Sequence, residues 1–292
     1  MQFYLQRLFG RSVLSVFAGA AMATMAVSSG ARSEDPSLPK PILLATFDTN
    51  ADAVIEGGTL PVMTAASLQR KVLREGEHHD DVRLVPAAGK HGGCLRFERK
   101  GEQVLLYQVG RLPIFHENWD ATISFWLKLS PDEDLAPGYC DPLQITAKAW
   151  NDGAIWVDFD KDLPRAFRMG AFSDYRVWNP ADTAWEQVAA ADRPLIPVAR
   201  PPFKRDRWTH VALTIEGVNL ADNRPGIARL FLDGQPQGQL ERPFRITWTP
   251  EDTVLMLGIN YVGDFDELAI FDTALKPGAV EKLYRLPRGL SP

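Results

Sequence analysis

Apolar and polar residues alternate with a period of two through several short stretches of this chain, and turn-forming clusters separate the stretches. Over residues 121–129, Ile123, Phe125, Leu127 and Leu129 point one way while Thr122, Ser124, Trp126 and Lys128 point the other. That spacing predicts a strand with one packed face and one more polar face. Residues 154–160 repeat the design, with Ile155, Val157 and Phe159 inward and Trp156, Asp158 and Asp160 on the opposite face. Thr209, Val211, Leu213 and Ile215 line the next strand, and 227–232 runs into the Asp233-Gly234 turn expected of a hairpin. Further strands are predicted at 42–47, 82–85, 94–98, 103–109, 254–259 and 265–271. Pro277 opens a short helix that places Val280, Leu283 and Tyr284 on one side. No strands alternate with long helices and no repeat of constant period is present. The economical architecture is therefore all-β: two antiparallel sheets packed face to face.

The alternation weakens between 160 and 208, where prolines recur at 164, 180, 194, 197, 201 and 202. A connection this long inside a compact domain commonly serves a function. Its aromatic content (Phe167, Phe172, Tyr175, Trp178, Trp185) argues against disorder. A short helix is expected over 181–191. Residues 60–90 are mostly polar and, apart from 82–85, carry no readable element.

Composition changes the picture at the N-terminus. Arg7 and Arg11 precede an apolar run over 13–27, and Ser29-Gly30-Ala31 supplies small residues, so residues 1–31 read as a secretory signal. An uncleaved membrane anchor is the alternative, although the run is shorter than the ~20 residues a bilayer requires. Residues 32–41, with three prolines, read as a spacer; 42–286 as one domain with an extended insertion at about 161–205; and 287–292 as a tail. The expected location is secreted or periplasmic, with no stable membrane insertion after signal removal. Loss of residues 1–31 leaves thirty Lys and Arg against thirty-seven Asp and Glu, a formal charge of -7. Nucleic acid is not an expected partner, because that affinity rests on clustered cations. The two cysteines, Cys94 and Cys140, can pair in an oxidising compartment, which would staple a Pro- and Gly-containing loop to the sheet. Two separate buried thiols are the alternative.

The run Ala121-Thr122-Ile123-Ser124-Phe125-Trp126-Leu127-Lys128, then Trp208-Thr209-His210-Val211-Ala212-Leu213, Leu230-Phe231-Leu232-Asp233-Gly234, and Gly263-Asp264-Phe265-Asp266-Glu267-Leu268-Ala269-Ile270-Phe271, resembles the laminin G-like jelly roll of the concanavalin A-like lectin and glucanase superfamily. Phe47-Asp48 and Gly92-Gly93-Cys94-Leu95-Arg96-Phe97 are similar to that family's opening strands. The resemblance implies a jelly roll, and many members are carbohydrate-binding or adhesion modules while some are glycan hydrolases or lyases. Such a family fixes fold better than activity.

Tryptophans carry the binding expectation, since an indole can stack on the apolar CH face of a sugar while polar neighbours take its hydroxyls. Trp126 beside Ser124 and Lys128, and Trp156 beside Asp158 and Asp160, have that setting. Trp150, Asp174, Tyr175 and Trp178 lie in nearby loop-like sequence, and Arg168 or Arg176 can hold an acidic sugar bidentately. Packing in the core is the competing role for each indole. Asp158 and Asp160, with Cα atoms ~6.5 Å apart along a strand, also admit a paired-carboxylate hydrolase site. No cofactor is required by this reading. Calcium is a candidate, because Asp48, Asn50 and Asp52 supply oxygens at alternating positions, and laminin G-like relatives imply that Asp266 approaches that turn. The expected function is a non-catalytic module binding a polysaccharide, a glycoconjugate or an envelope protein; the alternatives are a hydrolase or lyase of the same fold, and a structural module of the envelope.

Overall fold

A computed structural model of the chain describes residues 37–115 and 117–291. The expected signal segment, and the spacer up to residue 36, lie outside the described residues. In chain order the strands are β1 (Leu43–Ala45), β2 (Ala53–Ile55), β3 (Gly58–Leu60), β4 (Met63–Ala65), β5 (Leu73–Glu75), β6 (Val82–Val85), β7 (Cys94–Phe97), β8 (Val104–Tyr107), β9 (Trp119–Lys128), β10 (Cys140–Ala149), β11 (Asp152–Phe159), β12 (Phe167–Phe172), β13 (Leu195–Val198), β14 (Thr209–Val218), β15 (Gly226–Leu232), β16 (Gln235–Arg242), β17 (Val254–Ile259) and β18 (Gly263–Phe271). Three short helices, α1 (Pro131–Asp134), α2 (Tyr175–Trp178) and α3 (Pro277–Tyr284), accompany them.

One sheet runs β16-β15-β14-β9-β18-β1-β2-β3, with β7 added to β18 and β6 to β7; the other runs β13-β12-β11-β10-β17-β8-β4-β5. The central ladders are antiparallel, as the period-two pattern requires. Inward residues of both sheets meet in one core: Phe125, Leu127 and Phe265 from the first sheet, Leu143, Val157 and Leu257 from the second. The Phe125 and Phe265 rings stack at 5.0 Å.

The first sheet's outer face is not open to solvent. Leu44, Phe231 and Phe271 on that face pack with Leu275, Val280 and Leu283, so α3 docks across it through the side that its sequence presents as apolar. Residues 286–290 close the cover: Leu286 and Leu290 join this cluster, and the Leu290 amide donates to Glu267 Oε1. The expected tail is therefore part of the packing. Trp126, placed with the polar residues by alternation, is only 3 % exposed. Its ring lies 4.9 Å from His210 and 5.7 Å from Tyr284, and its Nε1 donates to Glu267 Oε2.

Several expectations are corrected. Cys140 opens a ten-residue strand, β10, where a loop was expected; Pro142 sits at an irregularity in its pairing between Cys140 and Leu143, the setting in which a sheet tolerates proline. Cys94 and Cys140 are both buried and free, one in each sheet, so the disulfide is not formed. Burial pushes the Cys94 thiol up to about 12 and that of Cys140 to about 11, which makes both unreactive. The helix expected over 181–191 shrinks to a single 3-10 turn at Trp185–Gln187. The segment 161–205 contributes β12 and β13, which extend the second sheet beyond β11. Residues 53–75 hold four strands of three residues each, too short for alternation to reveal.

Two predictions follow from this packing. Gly258 has φ +74°, and a Cβ there would stand 1.9 Å from the Phe97 ring, so Gly258→Ala is expected to cost about 3 kcal/mol by urea denaturation. His210 is fully buried, with Nε2 on the Ser124 hydroxyl and Nδ1 without a partner, and burial pulls its pKa down to about 3. Below pH 6.5 the unfolded chain takes up a proton that the native histidine refuses, so stability present above that pH is lost as pH falls toward 3. Between pH 6.5 and 4.5 the wild type should lose about 2–3 kcal/mol more than His210→Gln, read as the difference between their urea midpoints across that range.

Candidate functional site

The second sheet's outer face carries a cleft of about 580 Å³, within the ~300–1,000 Å³ range of small-molecule sites. Strands β10, β11, β12 and β17 form its floor. On β11 the alternation directs Trp156 and Asp158 outward, and register sets Trp156 opposite Gly170 and Asp158 opposite Arg168 of β12. Gly170 is what lets the indole lie down on the sheet, since a Cβ there would fall 2.3 Å from Trp156 Cε2. The indole also stacks on Phe172 at 5.6 Å and donates through Nε1 to the Trp150 carbonyl at 2.8 Å. Trp156 is 3 % exposed, so it makes floor, and its expected role as an open stacking surface is corrected.

Arg168 grips Asp158 with two hydrogen bonds, Nε to Oδ1 at 2.8 Å and Nη2 to Oδ2, and its Nη1 lies 3.5 Å from Asp160 Oδ2. Its guanidinium sits 4.9 Å over the Tyr139 ring, a cation–π contact that holds the phenol at the cleft wall. Arg165 fixes the same wall from behind: it is buried, and it donates to the carbonyls of Gly138, Asp160 and Ala136. Asp141, beside Asp158 on the floor, is driven well above the usual carboxylate range by burial and by the Asp158 charge. Gln144 of β10 and Met256 of β17 complete the floor.

The rings that face solvent are Trp150, 42 % exposed at the β10–β11 turn, and Tyr139, 41 % exposed. Trp185 meets Trp150 edge-on at 5.4 Å and stiffens it. Lys148, Lys161 and Arg70 stand around the opening. Together these groups offer apolar ring faces, an amide that both donates and accepts, and cationic donors, which is the combination a polyhydroxylated ring requires.

Of the expected binding residues, the cleft holds Trp150, Trp156, Asp158 and Arg168. Asp160 lies behind Arg168, and Asp174 accepts from Lys148 Nζ at 2.8 Å and from Thr247. Tyr175 donates to Asp182, and Trp178 packs edge-on against Phe172 at 5.2 Å with Nε1 on the Asn151 carbonyl; both brace the wall from outside the cleft. Trp126 lies on the other sheet beneath α3 and has no part in the site. Tyr139, Asp141, Gln144, Lys148, Arg70 and Trp185 escaped sequence reasoning. The outward positions of β10 were hidden by Pro142, and nothing in the sequence brings Arg70 to Met256.

The expected calcium residues divide. Asn50 Oδ1 accepts from the Asp52 amide and Asp52 Oδ1 from the Val62 amide, so these two cap the turn after β1. Asp48 and Asp266 both secure the turn that precedes β7, Asp48 through Gly93 N and Asp266 through His91 N. Asp266 Oδ1 is buried without a partner, and burial pushes its carboxyl up to about 8. Among the described residues no three His, Cys, Asp or Glu side chains converge as metal ligands. Asn50 and Asp52 thus belong to one turn and Asp48 and Asp266 to another.

A family model described as the concanavalin A-like lectin/glucanases superfamily, Laminin_G_3, matches residues 107–281, more than half of the chain. The chain belongs to this family. A comparison with curated proteins gives no match. Among solved structures it is similar to domain 4 of AbnA, a GH43 extracellular arabinanase from Geobacillus stearothermophilus in complex with arabinotriose: 18 % identity, TM-score 0.51, 85 % of this chain and 100 % of that one. It is also similar to the botulinum neurotoxin type G receptor binding domain (13 %, TM-score 0.51, 85 % and 51 %) and to the binding domain of botulinum neurotoxin DC in complex with SialylT (11 %, TM-score 0.52, 83 % and 50 %). The chain spans about half the length of these toxin chains. At such identities the likeness establishes a shared jelly roll.

Because Trp156 packs as floor, Trp156→Ala is expected to destabilise the protein by about 3–5 kcal/mol, measured by urea denaturation, before any ligand is added. A stability loss below about 1 kcal/mol would return the indole to the role of a free platform.

Proposed function

We propose that the chain is an exported, non-catalytic carbohydrate-binding domain, and that the cleft on the second sheet is its site. The observation that carries this reading is the pair of solvent-facing rings, Trp150 and Tyr139, held rigidly beside Gln144 and Asp141. Large aromatic faces cost little conformational entropy to present and commonly dominate recognition. Two of the similar structures have sugar-named ligands in their complexes, which agrees with this use of the fold. The partner is a polysaccharide or glycoconjugate outside the cytoplasm, consistent with the signal-like N-terminus. Among the described residues no helix is long and apolar enough to cross a membrane.

Hydrolysis is the weaker reading. Glycosidases need one carboxyl free to donate and another free to attack or activate water. Here Asp158 and Asp160 are both engaged by Arg168, and Asp158 is spent on two charge-assisted bonds.

A glycan-array screen of the purified protein, followed by titration calorimetry on the best ligand, tests the reading. Trp150→Ala and Tyr139→Ala should each weaken binding by about tenfold or more while leaving the unfolding transition within a degree or two. Release of reducing ends or unsaturated products from the bound polymer would replace the binding assignment with catalysis. Unchanged affinity in both variants would move the site away from this cleft.

A further inference from the structure

Charge balance in the cleft singles out one residue. Arg168 is neutralised by Asp158 and Asp160, and Lys148 by Asp174 at 2.8 Å and Asp152 at 3.5 Å. Asp158 is thereby consumed as well, and burial together with the Asp158 charge raises the Asp141 carboxyl well above its ordinary range. Arg70 stands outside this accounting. Its guanidinium is half-buried at the cleft, and among the described residues no carboxylate lies within ion-pair distance of it. The contact it does make is Nη1 to the thioether sulfur of Met256 at 3.5 Å, a weak acceptor for a charged donor. Burial pulls its pKa below the ordinary value, and the charge of Asp252, which makes no ion pair with it, offsets this only in part.

The backbone shows that this placement is built. Arg70 has φ +53°, a left-handed conformation that L residues seldom adopt, and its amide closes a turn on the Ser67 carbonyl at 3.0 Å. The turn belongs to the loop between β4 and β5, at the far edge of the sheet, and it aims the side chain back over β17. Across the cleft, Lys161 follows β11 and lies 5.8 Å from the Tyr139 ring, also without a carboxylate within ion-pair distance among the described residues. On the floor Asp158 is paired and the Asp141 carboxyl is shifted toward its neutral form, while at the edges two cations, Arg70 and Lys161, stand against one exposed carboxylate, Glu186, in a chain whose net charge is -5.

We infer that the cleft selects a sugar bearing an anionic oxygen group, a carboxylate or a sulfate ester, and that Arg70 is the residue that pairs with it. The planar guanidinium presents parallel N–H donors that match either group, and the half-buried setting strengthens the pair relative to open solvent. This rests on the carbohydrate-binding reading above and narrows it to a ligand class. It also moves anion recognition from Arg168 and Arg176, whose guanidinium groups already lie against carboxylates, to an arginine with no carboxylate in ion-pair contact.

The test uses matched ligand pairs that differ only in charge: a galacturonate oligomer against its methyl ester, and a carrageenan oligosaccharide against its desulfated form. Calorimetry of the wild type should show at least tenfold tighter binding of the anionic member of one pair, and the pair that responds distinguishes carboxylate from sulfate. In Arg70→Gln that preference should fall to twofold or less. Without glycan, the same variant should unfold at an equal or higher temperature, because an unpaired desolvated charge has been removed. Equal binding of charged and neutral members, or a preference that survives in Arg70→Gln, overturns the inference. So does a drop of several degrees in the variant, which would make Arg70 a packing residue. Binding confined to neutral glycans on the array overturns this inference alone, whereas binding to no glycan at all overturns the carbohydrate reading with it.

Discussion

Every second side chain of a strand has to leave the core that its neighbours build, and the protein is organised around what happens to those outward residues. Two antiparallel sheets bury Phe125, Phe265, Val157 and Leu257 between them, and the same pleat pushes Trp126 and Trp156 to opposite outer faces. A sandwich with two apolar outer faces would expose far more hydrocarbon than a soluble surface normally carries. One face is accordingly closed by α3 and residues 286–290, and the other becomes a cleft.

The open face keeps its shape because its polar groups are committed to one another. Arg168 binds Asp158, supports Tyr139 and touches Asp160; Arg165 ties the 135–138 loop to the end of β11; Gly170 admits the Trp156 indole. Each arrangement fixes a ring or a charge in place before a ligand arrives, so less ordering is left to be done on binding. The same commitments hold Asp158 and Asp160 against one guanidinium.

The closed face shows how alike two outward tryptophans can look in sequence. Trp126 with Ser124 and Lys128, and Trp156 with Asp158 and Asp160, share the same alternation and the same kind of polar neighbours. Trp126 is nevertheless sealed against His210 and Tyr284, while Trp156 floors a cleft. Local pattern reports which way a side chain leaves its own strand, and the rest of the chain decides what it meets there.

Strands such as β9, β11, β14 and β18 were determined by the sequence itself, because their inward residues recur at a period that one extended backbone enforces. So was the helix at Pro277, whose apolar side is written within eight residues. Strand β10 was not, since Pro142 breaks the signal at a bulge that only pairing to β11 and β17 can support. The cysteines share a chain but not a sheet, and separation in space overrode the pairing that their sequence setting suggested. Arg70 meets Met256 across 186 positions of sequence. Periodicity acts between neighbours along the chain, whereas a cleft is a meeting of residues far apart in it, so the strands were readable in one dimension and the site was decided by the tertiary structure.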